Sequence, residues 1–279
     1  MIALLFATFA AAATNFTVNL TDENNIFWSM PLQFGTPMQG SATSKFLLNT
    51  GAMFTTVTKN TCSTCTEKYY NEAASTTKVS GAGAWNISTI MLPPTLLLEG
   101  STSSDNMCIN PDMPNTCVEN FGFFQVGESN DLDNNFKSLP TYAGSLGLAP
   151  LNSQNGPTYV YALKEAGFIS EAIASFQLNF NVTKDTKSIV KFGPFDESDY
   201  NGTLSSHYVT NDEDWWWSLN WTGMVINVNN TGYIHPTPKG SLTTIWSAWP
   251  FIQMPEKAYN EFVKMLVPFV NDTDLDCDS

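Results

Sequence analysis

Apolar residues along most of the chain come in short runs rich in Val, Ile, Phe, Thr and Trp, separated by clusters of Gly, Pro, Asn, Asp and Ser. Phe46–Leu48, Ser88–Leu92, Phe121–Val126, Ala174–Phe180 and Ser188–Phe192 are of this kind. Short runs bounded by turn-forming residues predict strands, and a succession of them predicts an all-β class. Two segments follow a helical period instead. Tyr159–Ala166 reads YVYALKEA and meets Gly167, a suitable C-terminal stop. Pro255–Val267 opens with proline in the first turn and sets Ala258, Phe262, Met265 and Leu266 at helical spacing. No short-period repeat or low-complexity tract interrupts this organisation.

The N-terminus departs from the pattern. Ile2 to Ala13 are small and apolar, too few to span a bilayer, and they predict a secretory signal over residues 1–14, though without a basic leading region. No later apolar run reaches the ~18 residues of a membrane-spanning helix. The 279 residues suffice for two modest domains or one large one.

Composition narrows the choice of partner. The formal net charge is −14, all 12 basic residues are lysine, and there is no arginine. Phosphate binding needs clustered cations and favours the arginine fork, so nucleic acid and anionic lipid are poor partners. The acidity suits solubility in an acidic or extracellular compartment. Eight Asn-x-Ser/Thr triplets, at Asn15, Asn19, Asn86, Asn181, Asn201, Asn220, Asn229 and Asn271, agree with export and predict several glycans. The expected location is outside the cell or in a vacuolar or lysosomal lumen.

In an oxidising compartment the five cysteines should pair. Cys62 and Cys65 form a CxxC, Cys108 and Cys117 bracket a loop, and Cys277 is left over. A CxxC also suits a redox pair or half a zinc site. No second CxxC exists, however, and His207 and His235 are the only histidines. Neither a metal nor a cofactor is expected.

Four segments in order resemble the pepsin-like aspartic peptidases. Phe34-Gly35-Thr36-Pro37-Met38-Gln39 is similar to that family's IGTPPQ turn. It is followed by Phe46-Leu47-Leu48-Asn49-Thr50-Gly51, where members write two hydrophobic residues and Asp-Thr-Gly. Tyr142–Pro150 (YAGSLGLAP) resembles FDGILGLAP. Leu163–Leu178 (LKEAGFISEAIASFQL) resembles the helix, turn and strand that lead out of the first lobe. Val190–Gly193 through Trp217 resembles the stretch that opens the second. Together these cover nearly the whole chain after the signal. The resemblance implies a bilobal acid-protease fold, with an N-terminal lobe over 15–172, a C-terminal lobe over 173–279 and a substrate cleft between them. In that family two aspartates share one proton; one carboxylate activates a water while the other protonates the substrate carbonyl.

The residues that chemistry requires are missing. The first loop reads Asn49-Thr50-Gly51-Ala52, and an asparagine amide takes no proton from water in the acid or neutral range. Counting back from Ile252–Pro255 and its helix puts the second aspartate position at Trp246, in Ile245-Trp246-Ser247-Ala248-Trp249. Asn230-Thr231-Gly232 competes on letters, but it comes too early and lacks the following proline and helix. The resemblance also sets Val79–Gly83 at the tip of the substrate-covering flap, with Ser80, Gly81 and Gly83 where members write Tyr-Gly-x-Gly. Thr56 and Ala143 likewise replace residues usual in the family. Members normally continue past Cys277 for several more strands, so the second lobe is expected to be incomplete.

These readings predict a secreted, glycosylated, non-catalytic relative that binds a peptide or protein ligand in the interlobe cleft. The alternatives are an aspartic endopeptidase, if the loop alignment is wrong, and an unstable truncated product. Trp215–Trp217 with Trp221 suit strand packing better than a stacking platform. Asp212, Glu213 and Asp214 read as a solvated turn, and the alternating aspartates from Asp272 to Asp278 as an acidic tail.

Overall fold

The computed structural model describes residues 15–23, 27–41, 43–89, 96–110, 112–113, 116–131, 142–150, 158–179, 187–209, 217–228, 231–236, 241–248 and 256–266. The expected signal over residues 1–14 and Cys277 lie outside them, as do Trp215, Trp216, Asp212–Asp214 and the aspartates from Asp272 to Asp278. The chain divides into two compact units, one of residues 1–218 with 244–249 and the other of 219–243 with 250–279.

The first unit is built from strands. They are β1 (Phe16–Asn19), β2 (Thr21–Glu23), β3 (Phe27–Met30), β4 (Gln33–Phe34), β5 (Phe46–Asn49) and β6 (Thr56–Thr58). The long strands β7 (Val79–Thr89), β8 (Leu96–Cys108) and β9 (Cys117–Asp131) follow, then β10 (Gly144–Gly147), helix α1 (Tyr159–Glu165), β11 (Ala174–Gln177) and β12 (Ile189–Phe192). A nine-stranded sheet runs β2-β3-β5-β10-β6-β9-β8-β4, with β7 paired to β8. Every residue of β3, β5 and β6 is buried, which accounts for a continuous apolar run such as Phe46–Leu48: strands covered on both faces do not alternate.

The core is aromatic. Phe34 packs against Phe46, Tyr69, Tyr70 and Phe123 at centroid separations of 4.9–6.4 Å. Phe34, Phe46 and Tyr70 are each wholly buried. One carboxylate lies inside this packing. Asp105 in β8 is 0 % exposed. It accepts hydrogen bonds from the Tyr70 hydroxyl (2.6 Å), the Thr77 hydroxyl (2.6 Å) and the Asn106 N–H (2.8 Å). Asn106 in turn donates to Thr36 Oγ1 (3.2 Å) and its carbonyl accepts from Gly35 N–H (2.9 Å), so this charge pins the Gly35-Thr36-Pro37 turn to β8.

A second, three-stranded antiparallel sheet is ordered β1-β12-β11 and sets Phe16 and Ala174 on either side of Phe192. Helix α1 packs on it through Tyr159, whose ring meets Phe192 at 5.5 Å and whose hydroxyl donates to the Thr116 carbonyl. Gly167, at φ +75°, ends the helix as its sequence suggests: its N–H bonds to Lys164 O and that of Phe168 to Leu163 O. The two disulfides are Cys62–Cys65, packed with Leu98, Phe124 and Val126, and Cys108–Cys117, which joins facing ends of β8 and β9.

In the second unit β14 (Gly223–Val228) and β15 (Thr231–Pro236) form a hairpin. Helix α2 (Glu256–Leu266) follows and buries Ala258. Two short strands, β13 (Ser218–Asn220) and β16 (Leu242–Thr244), pair with each other.

Candidate functional site

The first loop owes its position to one insertion in the sheet. β5 and β6 are consecutive in sequence, yet β10 lies between them, parallel to β5 and antiparallel to β6. The connection from Asn49 to Thr56 therefore crosses two inter-strand gaps, about 9.5 Å, over the end of β10. Gly147 makes the crossing possible, since a side chain there would stand 2.6 Å from the Phe54 backbone and 2.9 Å from the Ala52 carbonyl. The N–H groups of Leu148 and Ala149 hold the loop from below through Asn49 O (2.9 Å) and Ala52 O (3.1 Å). Asn49 closes β5 and is only 2 % exposed.

The second loop, Ile245–Ala248, belongs to the same compact unit and meets the first in a reciprocal exchange. Thr50 N–H donates to Ser247 Oγ (3.0 Å), and Ser247 N–H donates to Thr50 Oγ1 (2.8 Å). Each hydroxyl then donates across to the carbonyl preceding the other loop: Thr50 Oγ1 to Ile245 O (3.0 Å) and Ser247 Oγ to Leu48 O (2.8 Å). This pattern has a local two-fold relation. Thr50 corresponds to Ser247, Leu48 to Ile245, and so Asn49 to Trp246.

Between the paired hydroxyls the two remaining residues bond to each other. Trp246 Nε1–H donates to Asn49 Oδ1 at 2.7 Å, and the same oxygen accepts Gly51 N–H at 3.0 Å. The indole lies directly over Gly51: a Cβ there would stand 2.5 Å from Trp246 Nε1 and Cε2. Glycine is thus the residue that lets the ring reach the amide. The second loop is also braced from behind. Ile245 N–H donates to Trp217 O (3.1 Å), and Trp217 Nε1–H donates to Leu148 O (2.8 Å). That bond gives Trp217 a packing role and closes a circuit through Leu148 back to Asn49.

The hydrogen bonds described here between the two loops are made by an amide, hydroxyls, an indole and backbone groups. None gains or loses a proton between about pH 2 and 9. The arrangement can hold two loops together and present a half-buried indole.

The other candidate residues lie elsewhere. Ser80, Gly81 and Gly83 do not form a hairpin tip. They lie inside β7, where the register with β8 shifts between Ser80 and Ala84, and the residues that join β7 to β8, 90–95, lie outside the described ones. The Gly-x-Gly letters here serve a strand irregularity, which a glycine permits as readily as it permits a turn. Gly81 in particular has the Thr102 backbone within 2.7 Å of where a side chain would stand. Thr231 and Gly232 are part of β15, paired with Val228 and Asn227. Asn15, Asn19, Asn201 and Asn220 are exposed; Asn86 is in β7, and Asn181, Asn229 and Asn271 lie outside the described residues. Among the described residues no group of His, Cys, Asp and Glu could hold a metal ion, and no helix is long and apolar enough to cross a membrane.

Sequence reasoning missed Ser247. Its signal was present, because both loops place a hydroxyl residue directly after the paired side chain, Thr50 after Asn49 and Ser247 after Trp246. A sequence model of the eukaryotic aspartyl protease family matches residues 28–273. No curated protein matches the chain.

Proposed function

The chain belongs to the eukaryotic aspartyl protease family, and we propose that it is a non-catalytic member that binds a peptide or protein through its Asn49 and Trp246 loops. The hydrogen bond from Trp246 Nε1 to Asn49 Oδ1 carries this reading. The family's reaction needs one carboxylate to take a proton from water and a second acid to give one to the substrate. The local two-fold supports Trp246 as the counterpart of Asn49, and neither side chain can do either task. The indole N–H also takes the amide oxygen that would otherwise be open to a water. Loss of members of a catalytic unit lowers rates by about 10⁴–10⁶, so peptide hydrolysis by this mechanism is not expected.

What persists is the frame around the missing acids. Thr50, Gly51 and Ser247 keep the two loops docked, and a docked pair of loops with a half-buried indole is a surface on which an extended peptide can lie. We assign the protein to the secretory route or an endomembrane lumen, with glycans among its Asn-x-Ser/Thr sites. Two disulfides, exposed asparagines at positions 15, 19, 201 and 220, and the apolar residues 2–13 support this.

The test is digestion of a denatured protein substrate from about pH 3 to 6 by purified, folded protein, with and without a transition-state mimic directed at aspartic peptidases. No inhibitor-sensitive cleavage is expected. Cleavage that the mimic abolishes would replace this reading with an active endopeptidase whose acids lie outside the Asn49 and Trp246 loops.

A further inference from the structure

The chain after β12 changes character at Tyr200. Up to that point it is tied down. Asp196 N–H donates to Asp199 Oδ2 (2.7 Å), Lys191 Nζ reaches Asp199 (2.6 Å) and Asp196 (3.3 Å), and the Tyr200 ring packs edge-on against Phe195 at 6.0 Å. Asn201 to Tyr208, which read NGTLSSHY, are all exposed, Leu204 by 50 % and Tyr208 by 93 %. Among the described residues none of 201–208 makes a hydrogen bond, an ion pair or a ring contact. The local sequence accounts for this. Gly202 stands at φ +92°, in the left-handed region that glycine favours, with nothing within 4 Å of where a side chain would stand. Thr203, Ser205 and Ser206 follow, small and polar, so neither a helical nor a strand period forms.

An endopeptidase draws an extended stretch of chain into its cleft, so a folded protein is cut where that stretch is exposed and few bonds have to open. Residues 201–208 meet both conditions. We propose that they are a processing segment, at which an endopeptidase selective for aromatic or large aliphatic residues converts the protein into two chains that stay together. Water adds across the Leu204–Ser205 or the Tyr208–Val209 bond, leaving a carboxylate on the first residue and an amino group on the second. Enzymes directed at basic residues have no site here, because residues 192–238 contain neither lysine nor arginine. Neither described disulfide spans the cut, since Cys62–Cys65 and Cys108–Cys117 both precede it. The loop exchange is what joins the two pieces. The C-terminal piece brings Trp217 and Ser247, which bond to Leu148, Leu48 and Thr50 of the N-terminal piece at 2.8–3.0 Å. This holds whether or not the Asn49 and Trp246 loops bind a ligand.

The experiment treats the folded full chain with chymotrypsin and, separately, with trypsin, and maps the fragments by intact mass. Chymotrypsin is expected to cut after Leu204 or Tyr208 before it cuts within any described strand, and trypsin to leave residues 192–238 whole. The rate of the chymotryptic cut should be the same in Asp105→Asn as in the wild type, because a site open in the native state does not wait for global unfolding. Residues 201–208 that stay intact until the described strands are cut overturn the inference, as does a cut that speeds up in step with the stability lost in Asp105→Asn. Size-exclusion chromatography of the cut protein should give one species of the uncut mass, which urea separates into two without a reductant. Fragments that separate without urea overturn the two-chain form. The cut Thr50→Val, Ser247→Ala double variant should come apart at lower urea than the cut wild type.

Discussion

Two buried polar networks tie distant parts of this molecule together, and they do so with opposite chemistry. At Asp105 a wholly buried carboxylate collects donors from Tyr70, Thr77 and Asn106 and pins the Gly35–Pro37 turn. At the Asn49–Trp246 junction two loops meet through an amide, an indole and two hydroxyls. The chain thus keeps an acid where the fold needs a strong acceptor and joins the Asn49 and Trp246 loops with neutral groups. A buried charge is costly unless fully hydrogen-bonded. Asp105 meets that condition; a lone carboxylate facing the Trp246 indole would not be matched by the shared proton of a second acid.

The largest expected effect is at the charged network. Asp105→Ala removes the acceptor of the buried Tyr70 hydroxyl and of the part-buried Asn106 N–H, and should cost about 2–4 kcal/mol of unfolding free energy in urea titrations. Asp105 also makes stability depend on pH. Burial pushes its carboxyl upward, but hydrogen bonds from Thr77, Tyr70 and the Asn106 N–H outweigh this and hold it below the usual carboxylate range. A group depressed on folding stabilises above its unfolded pKa, about 3.9 for aspartate, and loses that contribution as pH falls through the folded value. Unfolding midpoints should therefore drop on acidification below about pH 4, and the drop should be shallower in Asp105→Asn. An unchanged acid limb in that variant would mean that other carboxylates control it.

A smaller effect is expected where the loops exchange hydroxyls. Thr50→Val removes the acceptor for Ser247 N–H and the donor to Ile245 O while keeping the side-chain shape. Ser247→Ala does the reciprocal damage to Thr50 N–H and Leu48 O. Each should cost about 1–3 kcal/mol. Because both act on one exchange, the double variant should lose less than the two single losses combined, with a coupling of about 0.5–3 kcal/mol. Strict additivity would show that the two loops do not depend on each other, and the comparison with Asp105 would then lack its second member.

Much of the fold could be read locally. The apolar run Phe46–Leu48, the stop at Gly167 and the helix after Pro255 are set by residues within a few positions of themselves, and the ordered motifs carry the family. The first loop was legible for the same reason, since Asn49-Thr50-Gly51 keeps two of three letters. Three features were not. The insertion of β10 between β5 and β6 depends on pairing across nearly a hundred residues. The bond from Trp246 to Asn49 depends on where an indole points, and spacing from Pro255 fixes only where its backbone falls. The Gly-x-Gly of Ser80–Gly83 was read as a turn, but its glycines lie at a register shift in a long strand, a distinction that the partner strand makes and the letters do not.

The smallest effect tests the junction most directly. Trp246→Phe keeps an aromatic ring to cover Gly51 and removes only the N–H that Asn49 Oδ1 accepts. That oxygen retains its bond from Gly51 N–H, so it is left half satisfied, and the cost should be about 0.5–1.5 kcal/mol. The diagnostic quantity is how this cost varies with pH. Neither partner carries a charge, so linkage gives the variant and the wild type the same proton uptake on unfolding, and the difference between their urea stabilities should be constant from about pH 5 to 8. Asp105→Asn, measured in parallel toward lower pH, should show a difference that shrinks. A Trp246→Phe cost that changes with pH would place a titrating group against the indole, and the contrast between a charged pin and a neutral one would not hold.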